Sequence, residues 1–219
     1  MYTKRGILLW ESIGVAIIVL ANLVTASINP IGHPVVSTPI CVGIAIAATF
    51  YGSGAHLNPT VTGLITIFAK IRWTRILLYL ASAFGSAALI GGLWRLGALF
   101  FPLPAFGLDH ADLAAVIGKE ALATLCLLSY LAIFVFLERG ILTIGAVPVF
   151  LSLVQLTALG GADMNPAVSL GWFVVGKYDV AGLGAHLLGE AIAIGGLLVV
   201  GHALRTLRRR VVAERHRTV

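Results

Sequence analysis

The chain has 219 residues, of which 59% are hydrophobic and 11% are charged, and its mean hydropathy is +1.00. A soluble domain is typically about 45–50% apolar and about 25% charged, so this chain has too few charges to cover the surface of a water-soluble globule. The same numbers exclude collagen-like, disordered and disulfide-framework proteins. The composition therefore predicts an integral membrane protein.

The net charge of +6 comes largely from a basic tail at residues 205–219. A run of arginines after an apolar segment is typical of a cytoplasmic flank that contacts anionic lipid headgroups. We therefore predict membrane lipid, and no nucleic acid, as the partner of this tail. The two cysteines, Cys41 and Cys126, lie in apolar stretches and are interpreted as packing residues.

Six stretches meet the requirement of roughly 20 mostly apolar residues for a transmembrane helix. The sequence predicts these spans at about 6–28, 35–52, 76–101, 113–137, 141–159 and 180–204. With six spans, most lysines and arginines fall on one side of the membrane. The positive-inside rule then predicts a multi-pass protein with both termini in the cytoplasm.

Two further apolar segments, 58–69 and 165–175, are only about half as long as a span. Each begins with an Asn-Pro pair, at Asn58 and at Asn165. Asn is a strong N-cap and Pro is favoured at the first helical position, so each pair predicts a helix start. Glycine-containing segments precede both pairs, and irregular backbone is tolerated at membrane depth only when it is buried in protein or lines water. We therefore predict two re-entrant half-helices.

The chain also repeats itself. Asn58 and Asn165 are 107 residues apart, and two glutamates within predicted spans, Glu11 and Glu120, are 109 residues apart. We divide the chain into a first half-repeat at 1–108 and a second at 109–219. Because each half has three spans, the second half is predicted to be inverted in the membrane, and such repeats place a substrate pathway at their interface.

The segments Ser53–Thr62 and Gly161–Ala167 carry a family resemblance. They resemble the two signatures of the aquaporin and aquaglyceroporin (major intrinsic protein) family, with Thr60 where alanine is usual. The paired motifs extend this resemblance over essentially the whole chain. It implies an all-α membrane fold with six spans and two half-helices, no enzymatic activity and no cofactor. It also implies a homotetramer in which every subunit has its own pore.

The physical mechanism of such a pore depends on the two Asn-Pro motifs. Two half-helices that enter from opposite faces would meet at their N-termini, where each macrodipole contributes roughly half a positive charge. The amides of Asn58 and Asn165 would offer donors to a permeating oxygen, and cations would meet a positive field. The residues predicted for this part of the pore are Asn58, Pro59, Thr60, Asn165, Pro166 and Ala167.

Ionisable residues within the apolar segments need partners. By the resemblance, Glu11 and Glu120 accept hydrogen bonds from the irregular backbone before the half-helices, and His56 fixes the geometry of the first loop. A proton relay is the alternative for the two glutamates. Asp163 has two alternative roles: it caps backbone N–H groups, or it tunes the electrostatic field at the outer mouth of the pore. No metal site is predicted, since no motif surrounds His33, His110, His186 or His202.

In the family, four residues outside the Asn-Pro motifs form a ring that sets selectivity. Carried over by spacing, they are Thr38, Leu153, Ala162 and Val168. In the family, an arginine normally occupies the position of Val168. The absence of this arginine implies a wider constriction and weaker exclusion of cations at the ring. With valine at this position, the chain resembles a bacterial subgroup of the family that is associated with arsenic detoxification. This resemblance implies a location in the bacterial inner (plasma) membrane.

The sequence thus predicts a passive channel for uncharged solutes from water size to glycerol size. An apolar ring favours weakly hydrated solutes, such as metalloid acids like arsenite and possible organoarsenicals. The alternatives are a glycerol or urea facilitator and a channel mainly for water. Three other classes are alternatives: an intramembrane hydrolase using Ser53 and His56, a nonconducting scaffold, and a secondary active transporter.

Overall fold

The computed structural model describes residues 2–28, 37–69, 71–104, 106, 108, 112–136, 142–155, 157, 159 and 161–215. These residues form eight α-helices and no strand. The helices are α1 (Lys4–Ile28), α2 (Ser37–Ser53), α3 (Pro59–Ala69), α4 (Trp73–Gly97), α5 (Leu113–Phe136), α6 (Thr143–Gln155), α7 (Pro166–Val174) and α8 (Val180–Arg215). The predicted all-α fold is confirmed.

The predicted spans appear as four long helices and two shorter ones. α1, α4, α5 and α8 are long and apolar enough to cross a membrane. α2 has 17 residues and α6 has 13, with Pro148 inside it. The predicted spans 35–52 and 141–159 each extend partly outside the described residues. The helix that corresponds to the span predicted at 76–101 is α4, which begins at Trp73 and ends at Gly97. It therefore starts and ends a few residues earlier than predicted.

The two half-helices begin where the Asn-Pro pairs predict. α3 and α7 have 11 and 9 residues. At 1.5 Å per residue they rise about 16 Å and about 14 Å, which is roughly half of the hydrocarbon thickness. α3 packs against α4, α5 and α8, whereas α7 packs against α1, α4 and α8. Each half-helix therefore contacts helices from both halves of the chain.

The element order repeats, because two helices, a half-helix and a long helix occur twice. The pair α1 and α4 in the first half corresponds to the pair α5 and α8 in the second, and both pairs make extensive contacts. The division between residues 108 and 109 itself remains a prediction. Large apolar side chains are exposed along the outer faces of the helices, for example Leu9, Leu89 and Val199. Such faces suit a lipid environment rather than water.

α5 and α8 are tightly packed at Gly189. A Cβ atom at this position would lie 2.6 Å from the Cβ of Glu120 and 2.6 Å from the backbone oxygen of Ile117. Because one obstacle is backbone, α8 would have to move away from α5 to admit even a methyl group. Gly195, on the same helix, has nothing within 4 Å of its added Cβ.

We therefore predict that Gly189→Ala lowers the thermal midpoint of the purified protein in detergent, whereas Gly195→Ala leaves it unchanged or raises it. Overpacking costs about 1–3 kcal/mol, and alanine is otherwise favoured over glycine in a helix by about 1 kcal/mol. The measurement is a melting curve followed by aggregation or intrinsic fluorescence. Equal midpoints for the two variants would contradict this packing.

Candidate functional site

The backbone before each half-helix adopts an unusual conformation. The loop before α3 contains Gly54 with φ of 90° and Leu57 with φ of 51°. The loop before α7 contains Gly161 with φ of 87° and Met164 with φ of 52°. Left-handed backbone at a residue other than glycine costs about 1–3 kcal/mol, so both loops need specific support from their surroundings.

Glu11 supports the first loop. Its Oε1 accepts a hydrogen bond from the hydroxyl of Ser53 at 2.6 Å and another from the backbone N–H of His56 at 2.9 Å. Its Oε2 accepts from the backbone N–H of Leu57 at 2.6 Å. The carboxylate is 1% exposed. A buried acid that receives three donors is stabilised inside the bundle, and in turn it fixes the strained loop.

Glu120 supports the second loop in the same way. Its two oxygens accept from the backbone N–H groups of Asp163 at 2.6 Å and Met164 at 2.9 Å. The donors of the first loop, His56 and Leu57, hold the equivalent places before Asn58. In both halves, therefore, a glutamate from a long helix accepts hydrogen bonds from the last two backbone N–H groups before the asparagine.

The two Asn-Pro motifs meet at the centre of the fold. The side-chain amide of Asn58 donates to the backbone oxygen of Met164 at 2.7 Å, and the amide of Asn165 donates to the backbone oxygen of Leu57 at 3.1 Å. Each asparagine thus bonds to the loop that precedes the opposite half-helix. The N-termini of α3 and α7 face each other, which brings together the positive ends of two helix dipoles.

Each asparagine also caps its own half-helix. Asn165 Oδ1 accepts from the backbone N–H of Ala167 at 3.1 Å. Asn58 Oδ1 accepts from both the backbone N–H and the hydroxyl of Thr60, each at 2.8 Å. The threonine that departs from the family signature therefore adds a hydrogen bond to the cap. Pro59 and Pro166 are the first helical residues, where a missing N–H costs nothing.

His56 is packed within the first loop. Its Nδ1 lies 3.2 Å from the hydroxyl oxygen of Thr62, and its ring stacks on Tyr79 with centroids 3.8 Å apart. The hydroxyl of Ser53 is committed to Glu11, and no hydrogen bond joins it to the His56 ring among the described contacts. This arrangement does not form the nucleophile–base pair that an intramembrane hydrolase needs.

Three of the four predicted ring residues lie inside the bundle. Ala162 and Val168 are each 5% exposed, and Thr38 is half-buried at the start of α2. Leu153 is different, because its side chain is 59% exposed on the same face of α6 as Val149. A residue on the outer face of a helix does not line a narrow internal ring. The placement of Leu153 by spacing is therefore not supported by the structure.

The structure also assembles a cluster that the sequence analysis missed. Glu120, Asp163 and His186 offer ligand atoms that lie within 4.8 Å of one another. Asp163 Oδ2 also accepts from the hydroxyls of Ser169 at 2.8 Å and Tyr178 at 3.2 Å. His186 comes from α8 and has no local motif, so only contacts between distant segments reveal its place. His33 and His110 lie outside the described residues.

No family model matches the chain, but individual proteins do. It is 28% identical over 200 residues to a protein described as a probable aquaporin NIP-type from Nicotiana alata, covering 84% of this chain and 72% of that protein. It is 31% identical over 188 residues to a putative aquaporin NIP4-1 from Arabidopsis thaliana, covering 78% of this chain and 65% of that protein. Both relatives are plant proteins.

Among solved structures, the aquaglyceroporin from Plasmodium falciparum superimposes with a TM-score of 0.67. The match covers 90% of this chain and 93% of that chain, at 19% sequence identity. The fold and the paired half-helices define a multi-pass membrane protein of the aquaporin fold. The curated relatives are described as aquaporins, and the chain is similar to them over 78–84% of its own length. Aquaporins are channels rather than enzymes, in agreement with the sequence prediction.

Thr60 allows a direct test of the cap geometry. We predict that Thr60→Ala, which removes the hydroxyl bonded to Asn58, destabilises the protein by about 1 kcal/mol, the usual net value of one hydrogen bond. Thr60→Ser should retain most of this stability, since it keeps the donor. The measurement is the thermal midpoint in detergent, and equal losses in the two variants would show that the hydroxyl does not support the cap.

Proposed function

We propose that this protein is a passive channel for small uncharged solutes, with a selectivity ring that lacks a cation. The observation that carries the proposal is the meeting of two asparagine-capped helix N-termini, each bonded to the opposite loop. This arrangement presents amide donors and two positive dipole ends at one level of the membrane. The family similarity supports a channel for water and small solutes.

The asparagines explain how a neutral solute would pass. Each side-chain amide has two N–H groups, of which one bonds to the opposite loop. The second is available for a permeating oxygen, which thereby regains a hydrogen bond that it loses on leaving bulk water. A cation receives no such compensation, because donors and positive dipole ends are unfavourable neighbours for it.

The outer ring determines which solutes enter. We place Thr38, Ala162 and Val168 in this ring, and we replace Leu153 by Gln155. At 3.6 residues per turn, two positions turn a helix by about 200°, so Gln155 points to the side opposite Leu153. Thr38 Oγ1 and Gln155 Oε1 are buried and have no hydrogen-bond partner among the described residues.

These two oxygens favour solutes that carry O–H or N–H donors. Undissociated metalloid acids such as arsenous acid are of this kind, and so are possible organoarsenicals that keep hydroxyl groups. Weakly hydrated acids also lose little on entering a ring with apolar sides such as Val168. We therefore prefer arsenite as the solute. The alternatives are glycerol or urea, which also carry donors, and water as the main permeant.

The assembly and location extend the sequence prediction. We propose a homotetramer with a pore in each subunit, placed in the bacterial plasma membrane with both termini in the cytoplasm. Exposed apolar side chains on the long helices provide surface for lipid and for neighbouring subunits. The basic residues near both termini, such as Lys4 and Arg205, support the cytoplasmic orientation.

The first test is a solute panel in proteoliposomes. We predict that arsenite enters protein-containing vesicles faster than protein-free vesicles at neutral pH, where the acid is uncharged. Glycerol, urea and water are measured in the same preparation by light scattering after an osmotic step. An arsenite flux equal to the leak of protein-free vesicles would contradict the metalloid assignment, and the absence of flux for all four solutes would contradict a channel.

The second test concerns the missing cation. We predict that Val168→Arg reduces arsenite and glycerol flux by about tenfold or more, which corresponds to a barrier increase of about 1.4 kcal/mol. A guanidinium would narrow the ring and add fixed donors, so water flux should fall less than solute flux.

Two controls accompany this variant. Val168→Ile keeps the ring apolar and should retain the solute preference, although with reduced flux. Leu153→Val changes the exposed face of α6 and should leave all fluxes unchanged. Unchanged selectivity in Val168→Arg, or altered selectivity in Leu153→Val, would contradict the proposed ring.

A further inference from the structure

We propose that Glu120, Asp163, His186 and Glu190 form a binding site for a divalent transition-metal ion of the Zn²⁺ class. The first three residues come from α5, from the loop before α7 and from α8. Their ligand atoms lie within 4.8 Å of one another, and His186 and Glu120 are fully enclosed by the bundle. The site lies beside the pore loop, outside the Asn-Pro motifs and the proposed ring.

The geometry is close to that of a bound ion. His186 Nδ1 lies 2.7 Å from Glu120 Oε1 and 3.5 Å from Asp163 Oδ2. Zn²⁺ binds nitrogen and oxygen ligands at about 2.0–2.2 Å, so two of its ligand atoms are at most about 4 Å apart. Side-chain rotations that move the outermost of these three atoms by about 1 Å would bring them to ligand distances, and a rotation of Glu190 would add the fourth ligand.

Glu190 supplies the independent observation that points to a ligand. Its side chain is 1% exposed, and neither carboxylate oxygen has a hydrogen-bond partner among the described residues. It follows His186 by four positions on α8, so both side chains project from one face of the helix. Its electrostatic interactions with Glu120 and Asp163 place the Glu190 carboxylate near the cluster, and the backbone N–H of Asn165 is directed at it without reaching hydrogen-bond geometry.

The first half of the chain can be compared with the second, because it builds the same loop and half-helix without the additional ionisable residues. Counting back 107 residues, the interval between the two asparagines, places His56, Tyr79 and Ala83 where the second half has Asp163, His186 and Glu190. There Glu11 is satisfied by a hydroxyl and two backbone N–H groups alone. The architecture therefore does not require the additional ionisable groups of the second half.

The charge of the cluster favours a divalent cation. Glu120, Asp163 and Glu190 bring three carboxylates together in the membrane interior, where an uncompensated charge is costly. Lys177 is the described cation that interacts with Asp163 and His186, and its amine lies 4.2 Å from the ring centroid of Trp172. With His186 neutral, as a metal-bound imidazole must be, one lysine leaves two negative charges, which a divalent ion would balance.

The donor set selects the kind of ion. One imidazole nitrogen with carboxylate oxygens suits Zn²⁺ and its first-row neighbours better than Mg²⁺ or Ca²⁺, which prefer oxygen ligands alone. Four ligands would complete the tetrahedral arrangement of a structural zinc site. Binding would replace the hydrogen bond between His186 and Glu120, and it would release any proton held between them.

The test is metal binding to the purified, detergent-solubilised protein after treatment with a chelator. Co²⁺ is the probe, because its visible absorption reports ligand geometry, and Zn²⁺ is added as the competitor. We expect one Co²⁺ ion per chain, displaced by Zn²⁺ but not by Mg²⁺ or Ca²⁺. We also expect Zn²⁺ to raise the thermal midpoint, since a ligand of the folded state stabilises it.

Two variants and a control define the ligands. Glu190→Gln keeps the shape of the side chain, and His186→Tyr introduces the residue that the first half has at the equivalent place. Each should weaken Co²⁺ binding by about tenfold or more. Asp179→Asn is the matched control, because this exposed carboxylate accepts only from the backbone of Gly182 in the described contacts, and its binding should equal that of the wild type.

The outcomes that overturn the proposal are independent of the channel activity. Absence of Co²⁺ and Zn²⁺ binding in the wild-type protein would reject the site outright, whether or not the variants fold. Binding that is unchanged in Glu190→Gln, or that is equally weakened in Asp179→Asn, would reject this ligand set. Because none of these measurements uses solute flux, a failed flux assay leaves the metal site standing, and a failed binding assay leaves the channel standing.

Discussion

The structure depends on two buried carboxylates that accept backbone hydrogen bonds in the middle of a membrane protein. Without them, the N–H groups before each half-helix would be buried without acceptors, at a cost of about 1–3 kcal/mol each. Glu11 and Glu120 satisfy these groups and fix left-handed backbone at Leu57 and Met164. Only then can Asn58 and Asn165 reach the opposite loops. The channel architecture is therefore a consequence of paired hydrogen-bond networks rather than of apolar packing alone.

The two networks share their geometry but differ in charge. Beside the first loop, His56 is stacked on Tyr79 and no second carboxylate is present among the described contacts of Glu11. The second network contains Asp163 and His186, with Tyr178 stacked on the histidine ring at 4.3 Å. Asp163 directly follows Ala162, a residue of the proposed ring, so the second network is covalently adjacent to that ring. The two half-repeats therefore differ in the ionisable groups that surround their loops.

Much of this fold could be predicted from the sequence because its signals are local. Apolar length predicts the long helices, and Asn-Pro predicts the starts of α3 and α7. The side of α6 on which Leu153 lies could not be predicted from the sequence. Leu153 was located by its spacing from Asn165, and the loop between them has no helical periodicity that would relate the two positions. The association of His186 with Glu120 was missed for a related reason, as 66 residues separate them. The signal that the sequence did offer was the four-residue spacing of His186 and Glu190, which places two ionisable side chains on one face of an apolar helix.

The central claim is that α3 and α7 meet head to head and are held by reciprocal asparagine bonds. The most direct measurement is a high-resolution electron cryomicroscopy map of the protein in lipid nanodiscs. The account predicts that the amide nitrogen of Asn58 lies about 2.7 Å from the backbone oxygen of Met164, and that of Asn165 about 3.1 Å from the oxygen of Leu57. Separations too long for hydrogen bonds at both places would contradict the account.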